Sequence, residues 1–337
     1  PKQIAVDNGG VQVWNTADKL PFPRKLAINS WKDRDKLAVW QPITQQFRMV
    51  TSVNFPYQEL LPGEQLALVY DPMTHEPQFD YDAPVDFYLQ DVVTGSQRLV
   101  LAKQSPDRTK MGVSTQGDYI AYFKDKDWWI YDIKRDTHRN LTGLLGHSFV
   151  DHSYDRSGDE RVWSVAGWTA NDDAVLVYDA YDIWSLKTDG SSAVRLTRGK
   201  EEGIVFRLVP QKDYKTIDLP TDKAVDLTKG IVLKAVSPDK SGYFSWNSKS
   251  GAQPIVFEPN RISGFKRTNT GVSIFIREHY HLSPQLIVKQ LSGKFKVIGE
   301  SNEQQKYYAW GFSKRFAYEN SKRQPLRGAL FYPAGYD

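Results

Sequence analysis

Gly117-Asp118-Tyr119-Ile120-Ala121-Tyr122-Phe123, then Trp128-Trp129-Ile130-Tyr131-Asp132-Ile133, then Arg139-Asn140-Leu141-Thr142-Gly143 sets out an order. A turn leads into a hydrophobic strand, a second turn into an aromatic strand, and a third strand closes on Leu-Thr. The order returns downstream. Asn171-Asp172-Asp173 precedes Ala174-Val175-Leu176-Val177-Tyr178, Tyr181-Asp182-Ile183-Trp184-Ser185-Leu186 follows, Asp189-Gly190 turns, and Arg195-Leu196-Thr197 closes. Leu141 and Leu196 lie 55 residues apart, somewhat more than the ~40–50 of a four-stranded repeat unit. Residues 144–159, rich in His, Ser, Gly and Asp, read as a loop that accounts for the excess.

Looser copies flank this pair. Phe87-Tyr88-Leu89 faces Arg98-Leu99-Val100-Leu101 across Thr94-Gly95, and Gly242-Tyr243-Phe244-Ser245-Trp246 faces Ile255-Val256-Phe257 across Ser250-Gly251. Val272-Ser273-Ile274-Phe275-Ile276 with Gln285-Leu286-Ile287-Val288 and Lys296-Val297-Ile298 makes another. Val11-Gln12-Val13-Trp14 with Leu37-Ala38-Val39-Trp40 and Phe47-Arg48-Met49-Val50 makes a further copy with a long insert. Between positions 50 and 68, Pro56 and Pro62 argue against a helix. The reading is an all-β fold, a β-propeller of about six to seven four-stranded antiparallel blades, with room for an eighth. A blade is too small to cover both its faces alone, so blades stack face to face and large side chains fill the gaps. A pair of β-sandwiches is the competing architecture, but it has no need of this repeat.

The chain of 337 residues carries 44 Lys+Arg against 40 Asp+Glu, 13% aromatics and no cysteine. Packing between blades accounts for the aromatic content without a cofactor. The missing cysteine excludes disulfide frameworks, Cys-ligated metals and thiol catalysis. The charge is interspersed, without the basic run that tracks a phosphate backbone, so nucleic acid is not an expected partner. No stretch approaches ~18 apolar residues, so no membrane span is expected. Positions 1–7 have no signal-peptide pattern.

Several segments resemble the propeller of bacterial serine peptidases of the prolyl oligopeptidase family, the group that includes dipeptidyl peptidase IV-like enzymes. The strongest runs from Ala166-Gly167-Trp168-Thr169 through Asp172-Asp173 and Asp179 to Asp182-Ile183-Trp184, followed by Arg195-Leu196-Thr197-Arg198-Gly199. Ile204-Val205-Phe206-Arg207-Leu208-Val209, Ile217-Asp218-Leu219 and Ile231-Val232-Leu233-Lys234-Ala235 resemble the blade that follows in the family's large bacterial members. Ser283-Pro284-Gln285-Leu286, Asn302-Glu303-Gln304-Gln305 with Ala309-Trp310-Gly311, and Leu326-Arg327-Gly328-Ala329-Leu330-Phe331-Tyr332-Pro333-Ala334-Gly335-Tyr336-Asp337 are further matches in the family's order. The last opens the α/β-hydrolase catalytic domain in that family. The resemblance therefore implies a propeller over residues 1–317, lacking part of its N-terminal region, and the first segment of an absent catalytic domain over 318–337. It implies a substrate-gating role in a periplasmic or secreted peptidase acting on oligopeptides, a catalytic domain in cis, a parent able to form a homodimer, and no cofactor. The alternative is a stand-alone propeller that binds protein or peptide ligands.

The chain by itself is expected to be inactive. No G-x-S-x-G nucleophile turn occurs in the sequence, and no motif surrounds its six histidines. The resemblance makes Glu201 and Glu202 the candidate substrate-binding residues, because paired glutamates hold a substrate's free amine in the dipeptidyl peptidase IV-like group. The context Thr197-Arg198-Gly199-Lys200 also suits an ordinary turn, with Lys200 available to one carboxylate. His279-Tyr280-His281 places two imidazoles at i and i+2, one face of a strand, with no third metal ligand evident. His147 and His152 read as solvent-facing loop residues. Asp172, Asp173, Asp179 and Asp182 lack the spacing of a calcium loop and read as turn residues and strand anchors. Asn140-Leu141-Thr142 is formally a glycosylation sequon, but it coincides with the Leu-Thr strand ending.

Overall fold

The computed structural model describes residues 15–20, 35–52, 54–78, 83–155, 160–209, 212–213, 221–222 and 224–336. Val11-Gln12-Val13-Trp14 and Ile217-Asp218-Leu219 lie outside them. The fold is all-β and of the propeller type; the described residues form five four-stranded antiparallel sheets, in four of which strands adjacent in sequence are adjacent in space. The chain divides into two units, 1–195 with 210–225 and 196–209 with 226–337.

The first unit holds three blades. Blade I is Tyr57–Leu60, Leu66–Tyr70, Val85–Asp91 and Gln97–Gln104; blade II is Met111–Val113, Tyr119–Lys124, Asp127–Asp132 and Thr137–Asn140. Blade III is Val165–Trp168, Ala174–Tyr178, Ile183–Lys187 and Ala193–Arg195. A two-stranded pair, Ala38–Gln41 with Gln46–Met49, precedes them. Among the described residues of 50–68 there is no helix, in line with the prolines.

Why the middle strands carry apolar runs on both faces follows from the period of two. Ile120 and Tyr122 pack with Leu68, Phe87 and Leu101 of blade I. Their sequence neighbours Ala121 and Phe123 point the other way, into a cluster with Val175, Val177 and Leu186 of blade III. The next strand repeats the division, with Tyr131 toward blade I and Trp128 and Ile130 toward blade III. Each middle strand thus serves two cores at once, so a strictly alternating strand has no place there. Buried side chains such as Trp128, Tyr131 and Phe87 fill the inter-blade gaps, each contributing about 2–3 kcal/mol of transfer free energy.

Polar groups fix the stacking. Gln104 Nε2 donates to the carbonyl of Phe123 at 3.0 Å, Arg98 Nη2 donates to that of Ile133 at 2.6 Å, and Arg139 Nη1 donates to that of Thr188 at 3.2 Å. The Leu-Thr ending has a clear cause. Thr142 is buried, its Oγ1 accepts the Trp128 N–H at 2.9 Å, and it donates to Asp127 Oδ1 at 2.7 Å. Asn140 joins the same knot through Asp127, which explains the sequon as strand closure.

The second unit holds blade IV (Val205–Leu208, Ile231–Val236, Ser241–Asn247, Gly251–Glu258) and blade V (Arg261–Arg267, Ser273–His279, Leu282–Lys289, Phe295–Glu300). Tyr243, Ile255 and Val256 pack against Ile262, Phe265 and Phe275 between them. Lys289 Nζ donates to the carbonyl of Ile255 at 2.7 Å. Gly242 sits where strands crowd: a Cβ there would overlap the carbonyl oxygen of Val256. Blade IV departs from its siblings because its first and second strands are separated by residues 209–230. Within that stretch Lys212–Asp213 pairs with Thr221–Asp222, and the Val225 N–H bonds the Trp168 carbonyl of blade III at 2.7 Å.

A two-stranded hairpin, Phe312–Glu319 with Pro325–Tyr332, follows blade V. The position expected to end the propeller, 317, falls inside its first strand. Arg315 Nη1 donates to the carbonyl of Pro238 at 2.8 Å and so ties the hairpin to the turn before Ser241–Asn247.

Candidate functional site

The depression that gathers the most chemistry lies at one end of blade V. Its floor is the link between Ser273–His279 and Leu282–Lys289, whose last ladder pair is His279 with Leu282. That pairing leaves only Tyr280 and His281 in the turn. Asn302, with a left-handed φ of 55°, starts the 3₁₀ turn Glu303–Tyr307, which leads the chain back over the hairpin end. Trp310 Nε1 then donates to the Tyr280 carbonyl at 3.2 Å. The depression is open to the surface, with a volume of about 460 Å³, lined by Arg261, Glu278, His279, Tyr280, Asn302, Gln305 and Trp310 among others. Three segments singled out in the sequence, Ser283-Pro284, Asn302–Gln305 and Trp310, thus meet around one cavity.

Its electrostatics are mixed. Arg261 and Glu278, opposite each other in the ladder, pair at 2.7 Å. Burial, the nearby His281 and the Arg315 charge together hold the His279 imidazole below its ordinary pKa. The two imidazoles do not share a strand face as the spacing suggested. His279 ends the strand and His281 sits in the turn, yet their Nδ1 atoms approach to 3.2 Å. No group of three or more His, Cys, Asp and Glu side chains suited to a metal occurs among the described residues.

Glu201 and Glu202 belong to the one-turn helix Gly199–Glu202, closed by Gly203 in the left-handed region (φ 65°). Both are exposed, and neither lines the depression.

In the first unit the acidic residues are structural. Asp172 is buried on blade III and accepts from Thr115 Oγ1 at 2.8 Å and from the Gln116 N–H at 3.1 Å, both on the blade II side. Asp182 is fully buried, and its Oδ2 accepts from Arg195 Nε at 3.0 Å and from Arg195 Nη2 at 2.7 Å. Asp179 accepts from the Tyr181 and Asp182 N–H groups and from Trp184 Nε1. Burial pushes its carboxyl upward, but those hydrogen bonds and the His147 charge outweigh it and leave the pKa below the ordinary value. His147 is therefore not a free loop residue. Its Nε2 lies 2.9 Å from Asp179 Oδ2 and its ring 4.6 Å from that of Trp184. Those partners lie more than 30 residues away in the chain, so no local pattern announced them. His152 is the looser of the two, meeting Ser148 Oγ at 3.0 Å in an exposed position.

No family model matches the sequence, and no curated protein matches it. Solved structures do. A Bacteroides ovatus chain assigned as a dipeptidyl aminopeptidase IV aligns with 89% of this chain and 52% of its own length, at 10% identity and a TM-score of 0.54. Porphyromonas gingivalis dipeptidyl peptidase 4 aligns with 93% of this chain and 67% of its own, at 9% identity and a TM-score of 0.37. Prolyl oligopeptidase B from Galerina marginata aligns with 85% and 39%, at 8% identity and a TM-score of 0.44. The chain spans about half the length of the Bacteroides protein, and at this identity what it shares with that protein is the fold.

Proposed function

We propose that this chain is the propeller domain of a serine peptidase of the prolyl oligopeptidase family, and that it restricts which peptides reach the catalytic serine. The observation that carries the reading is the fold shared with about half of the Bacteroides dipeptidyl aminopeptidase IV over nearly the whole of this chain. The segments resembling that family, Gly167–Trp184 and 326–337 above all, support it independently of the fold. Blades packed on one another through apolar cores resist being opened. A folded protein cannot present an extended segment through them, whereas a short or unfolded chain can. The catalytic chemistry belongs to an α/β-hydrolase domain in the same polypeptide, and the protein works outside the cytoplasm.

In this reading Glu201 and Glu202 are the proposed contacts for a substrate's free amine. Exposed carboxylates hold a cation by only about 0.2–1 kcal/mol each, so they become effective only where substrate or a second domain covers them. The gene supplies the decisive test. Reading on from Asp337 is expected to give roughly 200 residues with a G-x-S-x-G turn. The encoded protein is then expected to cleave short peptides while sparing the same sequence inside a folded protein. A reading frame that stops without that turn overturns the proposal and leaves a binding propeller.

A further inference from the structure

The turn that floors the blade V depression holds a pair of groups that gating does not use. The ladder ends at His279 with Leu282, so the chain reverses over Tyr280 and His281 alone. That reversal sets the two imidazoles against each other, Nδ1 to Nδ1 at 3.2 Å, with ring centroids 4.5 Å apart and planes inclined at 72°. Two ring nitrogens at this distance can share one proton in a hydrogen bond, and the same separation suits two ligands of one cation. The distance discriminates what cation they suit. Imidazole nitrogens bind Zn²⁺ at about 2.0–2.1 Å, which puts two of them about 2.9 Å apart for a right-angled pair and about 3.3 Å apart for a tetrahedral one. The observed separation lies between these values, so the pair needs little rearrangement to chelate.

We propose that His279 and His281 form a two-imidazole chelate for a late first-row divalent cation, Cu²⁺ or Zn²⁺, with its other positions open to water and to the depression. Imidazole is a preferred ligand for both ions, whereas hard cations want several carboxylate oxygens and Glu278 is the one carboxylate among the described residues of the lining. His279 lines the cavity, so a cation held there faces space rather than packed side chains. The nearest carboxylate in sequence, Glu278, is engaged by Arg261 at 2.7 Å, and the Arg315 guanidinium lies close enough to influence His279. Both facts oppose binding and limit the site to two protein ligands. A bound cation would clip the turn shut and fix Tyr280, whose carbonyl receives Trp310 and whose ring meets Phe331 edge-on at 4.9 Å.

Two measurements test the chelate. The first is titration of the purified chain with Cu²⁺, followed by electron paramagnetic resonance. The expected result is one site per chain with hyperfine coupling to two nitrogens. His279→Ala and His281→Ala are each expected to weaken binding at least about tenfold, the gain that a second linked ligand provides, while His152→Ala leaves it unchanged. The second uses the unaltered protein, so it does not depend on a variant folding. Zn²⁺ is expected to protect His279 and His281, and not His152, from acylation by diethylpyrocarbonate. Equal Cu²⁺ affinity in the His279→Ala/His281→Ala double variant overturns the proposal. So does acylation of both residues at an undiminished rate in millimolar Zn²⁺.

Discussion

At the scale of single residues, the buried charges of blade III carry specific structural duties. Asp182 has no exposure and meets Arg195, whose side chain is about a quarter exposed. Removing the charge of one member of such a pair weakens the compensation of the other. Asp182→Asn is therefore expected to cost about 3 kcal/mol, read as a lower denaturation midpoint with an unchanged slope. Asp179 gives a pH signature. Its pKa is depressed in the folded protein, so the stability it contributes is fully present above the unfolded carboxyl value of about 3.9 and is lost as pH falls through the folded value. Stability measured from pH 7 down to pH 3 is expected to fall below about pH 4, and less steeply in Asp179→Asn. A slope identical in the two proteins would show that other carboxylates dominate. This is also the scale at which the sequence said least. Asp172 looked like a turn residue because its neighbours are turn formers, but its partners Thr115 and Gln116 lie 57 and 56 positions away. A contact made across two blades leaves no periodic trace. The same holds for His147 and Asp179, and for Nδ1 atoms brought together by a turn that the i, i+2 spacing hides. The role of Glu201 and Glu202 rests on resemblance alone.

At the scale of elements, the strands were legible for a physical reason. Middle strands of a blade bury both faces, which makes them continuous apolar runs such as Ala174–Tyr178, all but its last residue buried. The turn between Tyr119–Lys124 and Asp127–Asp132 was less legible. It places Asp125 and Lys126 at φ 51° and 69°, where Asn-Gly is the usual choice. A Cβ-bearing residue in that region is strained by about 1–2 kcal/mol. Lys126→Gly is therefore expected to stabilise the protein by up to about 1 kcal/mol, measured as a rise in thermal midpoint. A fall instead would mean that the exposed contact of Lys126 with Glu160 outweighs the backbone strain.

For the whole molecule, the repeat foretold the architecture closely. The copies read from the sequence became blades I to V and the leading pair Ala38–Gln41 with Gln46–Met49. The recurring Leu-Thr ending places a buried threonine at each site, Thr142 and Thr197. The path of the chain between blades was not foretold. A repeat count treats units as beads in series, whereas residues 209–230 interrupt blade IV after a single strand.

That interruption gives the protein the makings of a split pair. A site-specific protease site inserted between Lys215 and Thr216 would divide the chain into two fragments, each holding backbone contacts that the other needs. The first fragment carries Val205–Leu208, which the second needs to complete blade IV. The second carries Val225, whose N–H caps the Trp168 carbonyl at the edge of blade III. The cleaved protein is expected to elute as a single species in native buffer and to come apart only in denaturant. Separation in native buffer would show that backbone continuity, rather than strand pairing, holds the two halves in register.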